Sequence, residues 1–435
     1  MKIGIISLGC SKNLVDTENL LGLLISNDQE IVTDYNDAEA IIINTCGFIE
    51  PAKVEAINTI LEMSYYKKDK CKYLIVMGCL AQRYQKELTE EMPEVDRFIG
   101  LYEYNNLGTI LTDILKVKIS NTYGKNTRVL SGKPWMAYLR IADGCDNRCS
   151  YCAIPLIRGK YVSTPLEDLI KEAKQLAKNG VKELNIIAQD TTRYGLDLYN
   201  ERKLLELLQE LNQIEELHWI RVLYMYPDEI DDSLIEGMSK LDKVLPYFDI
   251  PVQYGNDKLL QLMNRRGNVN SIVNITTKIR ETFINSVLRT TIIVGFPNET
   301  ENDFKETLEF IERVKWDKLG AFIYSKEEDT LAYDMDNEVE DYLKVDRLNR
   351  LMDLQESISK EKNKLYINNT LEVLVESYDA LTQSYRGRSF LNAPDGIDGE
   401  VWIYTSESLK FGEFVQVKIT KVKNHDLLGE YRGRI

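Results

Sequence analysis

Histidine is almost missing from this chain of 435 residues: there are two, His218 and His425. Neither has a cysteine or a second histidine at ligand spacing, so a histidine-based zinc hydrolase and a serine–histidine–aspartate nucleophile are both set aside. Positive charge is short as well, with 54 Lys+Arg against 69 Asp+Glu and a net charge of −15. Proteins that grip nucleic acid carry a basic surface, because phosphate neutralisation supplies most of their affinity. The balance here suits a basic protein partner better. No apolar run is long enough to span a bilayer; the longest, residues 73–81, falls far short. The opening MKIGIISLGC has one lysine and then a strand-like run, with no small-residue cleavage site after it. No signal peptide is expected, and the expected location is the cytoplasm.

Cysteine, by contrast, is present seven times: Cys10, Cys46, Cys71, Cys79, Cys145, Cys149 and Cys152. Without a secretory signal, disulfides explain them poorly. Metal or cluster ligation and burial as small apolar groups remain.

The chain reads as α/β in three parts. From residue 1 to about 116, the runs KIGIISLGC, AIIINTCGF and KYLIVMGCL alternate with helical patterns in LVDTENLLGLLIS and EPAKVEAINTILEMS. That rhythm predicts a small parallel sheet. A polar stretch over 120–127 reads as a linker. From about 133 to 325, six strand-like runs alternate with helices, which predicts a partial (βα)6 barrel, since eight units would be needed to close one. An open barrel leaves a lateral gap, which suits a bulky substrate. The first barrel helix is expected to begin with Thr164 as N-cap and Pro165 at the first helical position, and to end at Asn179-Gly180. A helix over 345–366 leads to period-two runs over 371–435, which predict a small β-barrel. The expected domains are 1–118, 131–362 and 363–435.

The strongest local signal is GCDNRCSYC, where Cys145, Cys149 and Cys152 stand at C-x3-C-x2-C. Thiolates are soft ligands suited to iron–sulfur clusters, copper(I) or zinc. Three on one loop can hold three corners of a cubane and leave the fourth iron open. The loop follows the first barrel strand, at the end where barrel active sites are built. A structural zinc knuckle with a borrowed fourth ligand is the alternative reading. Cys10, Cys46 and Cys79 each lie just past a predicted strand of the N-terminal sheet, whose strand ends line up along one edge. They are candidates for a second three-thiolate site, the alternative for each being burial. Cys71, in KKDKCK, is given no ligand role.

These motifs carry a resemblance. SLGCSKNLVDTE, NTCGFIEPA, MGCLAQRY and GCDNRCSYCAIPLIRGKYVS resemble the cysteine motifs of the radical S-adenosylmethionine methylthiotransferases, and the tail from about residue 363 is similar to the barrel called TRAM. The match runs through essentially the whole chain. IAQDTTRYGLDLY, LYMYPDEIDDSLIE, LPYFDIPVQ and AFIYSKEEDTLAYDM look like the branch that modifies an aspartate of small-subunit ribosomal protein twelve, rather than the branch that modifies an adenosine of transfer RNA. From Lys364 onward the chain has nine Lys+Arg and ten Asp+Glu, a near-neutral tail that fits a basic ribosomal protein. Arg386 and Arg388 are the residues there that could touch RNA. Two departures stand out: Asp143 where the family more usually has glutamate, and Tyr254 where the branch commonly has histidine.

The resemblance implies two 4Fe-4S clusters, the first on Cys10, Cys46 and Cys79, the second on Cys145, Cys149 and Cys152. The second binds S-adenosylmethionine at its open iron and cleaves it to a radical that takes hydrogen from the aspartate β-carbon. The first presents sulfur, and a further S-adenosylmethionine supplies the methyl group. Gln189, Asp190, Gln253 and Gly295, at strand ends, are candidate S-adenosylmethionine contacts; Tyr151 is expected to pack against a cluster. The implied partners are the ribosomal protein and an electron donor such as flavodoxin or ferredoxin. Two other readings stay open: transfer-RNA methylthiolation, and a non-catalytic, zinc-stabilised RNA-binding module.

Overall fold

The computed structural model describes residues 1–120, 128–394 and 396–435. Apart from Ser120, the expected linker over 120–127 lies outside the described residues. The first sheet contains β1 (Lys2–Ser7), β2 (Glu30–Val32), β3 (Ala40–Thr45), β4 (Tyr73–Gly78) and β5 (Arg97–Ile99), in the order β2-β1-β3-β4-β5. Every neighbouring pair is parallel. β3 is buried at all its positions, as a central strand covered on both faces must be. The two edge strands are three residues long, too short to show a period in the sequence. Helices α1 (Ser11–Ile25), α2 (Glu50–Ser64) and α3 (Cys79–Glu91) follow β1, β3 and β4.

The second sheet has six parallel strands and stays open as a partial barrel. Its strands are β6 (Met136–Arg140), β9 (Glu183–Ile187), β10 (Trp219–Val222), β11 (Val244–Asp249), β12 (Val287–Val294) and β13 (Lys318–Ile323); a short antiparallel pair, β7 (Ala142–Asp143) and β8 (Val162–Ser163), brackets the cysteine loop. Leu139, Ile186, Ile220, Phe248 and Leu288 pack with the surrounding helices. Their neighbours Tyr138, Ile187, Trp219, Tyr247 and Val287 face the other way and join the core of the C-terminal barrel, the alternation expected of strands.

The first barrel helix spans Leu166–Lys178, and its N-cap is Pro165, not Thr164. Pro165 has an extended ψ of 140°, so the helix begins one residue later than its composition suggests. The Thr164 carbonyl is taken by the Tyr194 hydroxyl at 2.8 Å, and the free Leu166 N–H is satisfied by the Tyr199 hydroxyl at 2.9 Å. Asn179 and Gly180 end the helix as expected.

A helix over Asp341–Lys364, starting four residues before the expected bound, leads to a closed barrel. It contains β14 (Thr370–Asp379), β15 (Ser384–Arg388), β16 (Val401–Tyr404), β17 (Phe414–Lys423) and β18 (Asp426–Arg434). Residues 389–394 and 396–398 lie against the face of the open sheet that no helix covers. Arg221 donates to the Phe390 carbonyl at 3.0 Å, the Tyr247 hydroxyl donates to Asp398, and Lys318 donates to the Asp398 carbonyl. Beside it, buried Arg388 bridges Glu183 and Glu376. Arg386 stacks 3.5 Å above the Trp402 ring and pairs with Asp379 and Glu400. Both guanidiniums that the sequence offered to RNA are thus spent inside the protein. Among the described residues no helix is long and apolar enough to cross a membrane.

Candidate active site

Cys10, Cys46 and Cys79 stand at the carboxyl ends of three adjacent strands, β1, β3 and β4, because each strand hands over to its helix there. Cys10 is the N-cap of α1 and Cys79 the first residue of α3. Close approach of the three turns depends on glycine. A Cβ on Gly9 would lie 2.7 Å from the Cys46 Cβ, and one on Gly47 would lie 2.7 Å from the Leu80 Cα. At their centre is Asn13. Its Oδ1 lies 3.9 Å from the Cys10 sulfur and 3.5 Å from the Cys79 sulfur, while its Nδ2 donates to the Leu8 and Thr45 carbonyls.

The other three thiols lie on the loop between β7 and β8. Its backbone is pinned by Cys145 N–H to the Gly159 carbonyl and Ser150 N–H to the Met263 carbonyl. The two triplets face one cavity of about 370 Å³, whose walls include all six cysteines with Lys12, Phe48, Tyr151, Arg158, Tyr224, Tyr226, Arg265 and Arg289. Cys71 lies elsewhere, buried with its sulfur 3.3 Å from the Tyr73 carbonyl.

One buried arginine serves each triplet. Arg158 donates to the Asn13 Oδ1 at 2.9 Å and to Asp16 at 3.1 Å, and it reaches the Cys79 sulfur at 3.6 Å; its other nitrogen holds Asp143. It therefore ties the N-terminal domain to the strand that precedes Cys145. Arg265 reaches the Cys149 sulfur at 3.7 Å, donates to the Pro251 carbonyl and stacks 3.9 Å from the centre of the Tyr226 ring. Burial pushes the Cys79 thiol up to about 12, with Arg158 pulling the other way, and pushes Cys145 up to about 11. Free of metal, both are protonated at neutral pH, and loading must expel those protons.

Each triplet offers three soft thiols to the cavity, the ligand type that iron–sulfur clusters take.

Of the candidate S-adenosylmethionine contacts, Gln189 and Gln253 line the cavity. The Gln189 Oε1 is buried without a hydrogen-bond partner, as an acceptor awaiting a ligand would be. Gln253 has a left-handed φ of 74° and is held by backbone bonds to Thr291 and Ile293. Asp190 and Gly295 are outside the lining. The Asp190 carboxylate is fully buried on Thr192 and Asn147, where it braces the cysteine loop. Gly295 has its close neighbour on the other side: a Cβ there would meet the Lys344 Cγ at 2.3 Å. Tyr254 is buried outside the cavity, and Asp143 is the partner of Arg158. Asn13, Arg158, Arg265 and Lys12 escaped the sequence reading. Lys12 and Asn13 lie within three residues of Cys10, the one signal available.

Residues 2–100 match the uncharacterized protein family UPF0004, residues 139–311 the radical SAM superfamily, and residues 367–431 the TRAM domain. The chain is 50% identical over 434 residues to the ribosomal protein uS12 methylthiotransferase RimO of Alkaliphilus oremlandii, covering 99% of each chain. It is 48% identical to the protein of the same name from Acetivibrio thermocellus, over 99% of this chain and 98% of that one. Among solved structures, the radical S-adenosylmethionine methyltransferase TsrM from Kitasatospora setae, with tryptophan substrate and an S-adenosylmethionine analogue bound, shares the fold at a TM-score of 0.55 and 12% identity, over 74% of this chain and 72% of that one. The cobalamin-dependent radical enzyme OxsB does so at a TM-score of 0.52 and 14% identity, over 82% of this chain; the match spans 56% of that longer protein. With near-complete coverage at half identity, three domain matches in the expected order and two thiol triplets on one cavity, the chain belongs to the ribosomal protein uS12 methylthiotransferases of the radical S-adenosylmethionine superfamily.

Proposed function

We propose that this protein adds a methylthio group to the β-carbon of an aspartate in ribosomal protein uS12. Cys10, Cys46 and Cys79 hold one 4Fe-4S cluster; Cys145, Cys149 and Cys152 hold the other and with it S-adenosylmethionine. When bound, these groups supply the one-electron chemistry, the sulfur and the methyl group. The chain's own residues do the rest. Arg158 and Arg265 place positive charge beside one sulfur of each triplet, which favours the ligating thiolate. Gln189 and Gln253 present polar groups to S-adenosylmethionine. Phe48, Leu223, Met225 and Pro251 supply apolar wall that keeps water from a reactive centre. A flavodoxin or ferredoxin delivers electrons, and the ribosomal substrate sets the work in the cytoplasm.

The observation that carries the reading is the shared cavity: six thiols from two domains open on one space. Anaerobically purified protein is expected to be brown, with about eight irons per chain, four per cubane. It should place a methylthio group on one aspartate of uS12, read by mass spectrometry. Colourless, zinc-loaded protein, or modified transfer RNA with untouched uS12, would overturn the proposal.

A further inference from the structure

Four cations line the cavity, and three are spoken for. Arg158 holds Asp16 and Asp143, Arg265 holds the Pro251 carbonyl beside Cys149, and Arg289 lies between Asp249 and Asp398. The fourth is Lys12. It is only 6% exposed, and among the described residues its ammonium has no carboxylate, carbonyl or hydroxyl partner. Among the described residues the ammonium meets the face of Tyr224, whose ring centre lies 3.2 Å from the Nζ. A ring face is a partial partner at best and leaves ammonium N–H donors free. Lysine is almost never buried this deeply without a paired charge.

The seat under the ammonium is itself built. Tyr224 has a left-handed φ of 59°, a conformation a bulky side chain rarely adopts. Its N–H is held by Asp249 at 2.9 Å and its carbonyl by Thr191. Backbone held this way at the end of β10 turns the ring towards Lys12, which comes from the other domain, two residues past Cys10.

We infer that Lys12 is the counter-ion for the carboxylate of the substrate aspartate, held by that side chain's negative charge as it enters the cavity. The inference rests on the function proposed above and names a specificity residue for it. An ionised carboxylate entering these walls must find a cation, and Lys12 is the one of the four that, among the described residues, holds neither an acid nor a hydrogen-bond acceptor. The reacting β-carbon is one bond from the carboxyl carbon. Fixing the carboxylate on Lys12 therefore fixes the β-carbon beside the Cys10, Cys46 and Cys79 triplet. A neutral amide of the same shape accepts only a single weaker hydrogen bond from the ammonium and pairs no charge, so the site selects aspartate over asparagine.

The test compares purified uS12 with its variant carrying asparagine at the target position, on wild-type holoenzyme and on the Lys12→Met and Lys12→Arg enzymes. Wild type should show a KM about tenfold to a hundredfold lower for the aspartate form. Lys12→Met should treat the two forms alike while keeping its iron and its melting temperature; Lys12→Arg should keep much of the preference. Equal KM values on the wild-type enzyme would overturn the inference whatever the variants do. So would a Lys12→Met enzyme that still prefers aspartate, or a loss of iron in Lys12→Met that Lys12→Arg does not restore. A wild-type enzyme that leaves uS12 unmodified would sink the functional reading instead.

Discussion

The two cysteine triplets face each other yet are built by opposite means. Cys145, Cys149 and Cys152 share one loop, so eight consecutive residues fix their separations, and the short β7–β8 pair closes it. Cys10, Cys46 and Cys79 are 35 and 32 residues apart in sequence and meet because a parallel sheet aligns its strand ends. The loop triplet is local and can form once its loop closes. The sheet-end triplet is not local and exists only when β1, β3 and β4 are in register and Asn13 and Arg158 are in place. What differs is the source of order, and a disturbance should reach the two triplets unequally.

The largest effect should come from removing one thiol at a time. Cys149→Ala should abolish S-adenosylmethionine cleavage, measured as 5′-deoxyadenosine. Cys46→Ala should leave cleavage in place and stop sulfur insertion into uS12. Fully methylthiolated product from Cys46→Ala would show that the two triplets do not divide the labour.

Arg158→Met comes next. It leaves buried Asp16 with Arg140 as its remaining guanidinium and removes the Arg158 grip on Asp143, at a cost of about 1–3 kcal/mol. The melting temperature should fall and iron should drop towards half, with the loop triplet retained. Equal loss from both triplets would contradict the contrast drawn above. Gln189→Leu should be milder: folding and iron are kept, and the KM for S-adenosylmethionine rises about three- to tenfold. An unchanged KM would remove Gln189 from the binding site.

The smallest effect separates both triplets from the scaffold beneath. Burial pushes the Glu183 carboxyl up, but the Arg388 and Arg221 guanidiniums more than offset this and leave it below the ordinary 4.5. A depressed folded value means that its stabilisation is complete above the unfolded value and drains away as pH falls through the folded one. Glu183→Gln should flatten the fall of melting temperature with acid below about pH 4.5. A profile parallel to wild type would show that the pair carries no such linkage.

What the sequence revealed follows the same contrast. The loop triplet is written in its spacing, and the scattered one could be suspected because each cysteine ends an apolar run. The arginines that serve them could not: Arg158 ends an apolar run and Arg265 stands among polar residues, and only tertiary packing brings them to sulfur. Thr164 looked like a helix cap because composition ignores the extended ψ of Pro165. Gly295 stands outside the cavity lining, and a Cβ there would meet Lys344, a neighbour no pattern announces. Asp190 was correctly placed at a strand end, but the direction of its side chain was beyond any pattern.

The chain after β15, residues 389–394 and 396–398, has a practical consequence for anyone building chimeras. It is a stopper as well as a loop. Arg221 and Tyr247 end on it, and its Asp398 reaches Arg289 on the cavity wall. A C-terminal module exchanged as a cassette would have to bring a stopper of matching shape and charge. Without one, the Arg221 guanidinium and the Tyr247 phenol would lose the partners they find there, Arg221 keeping Glu183.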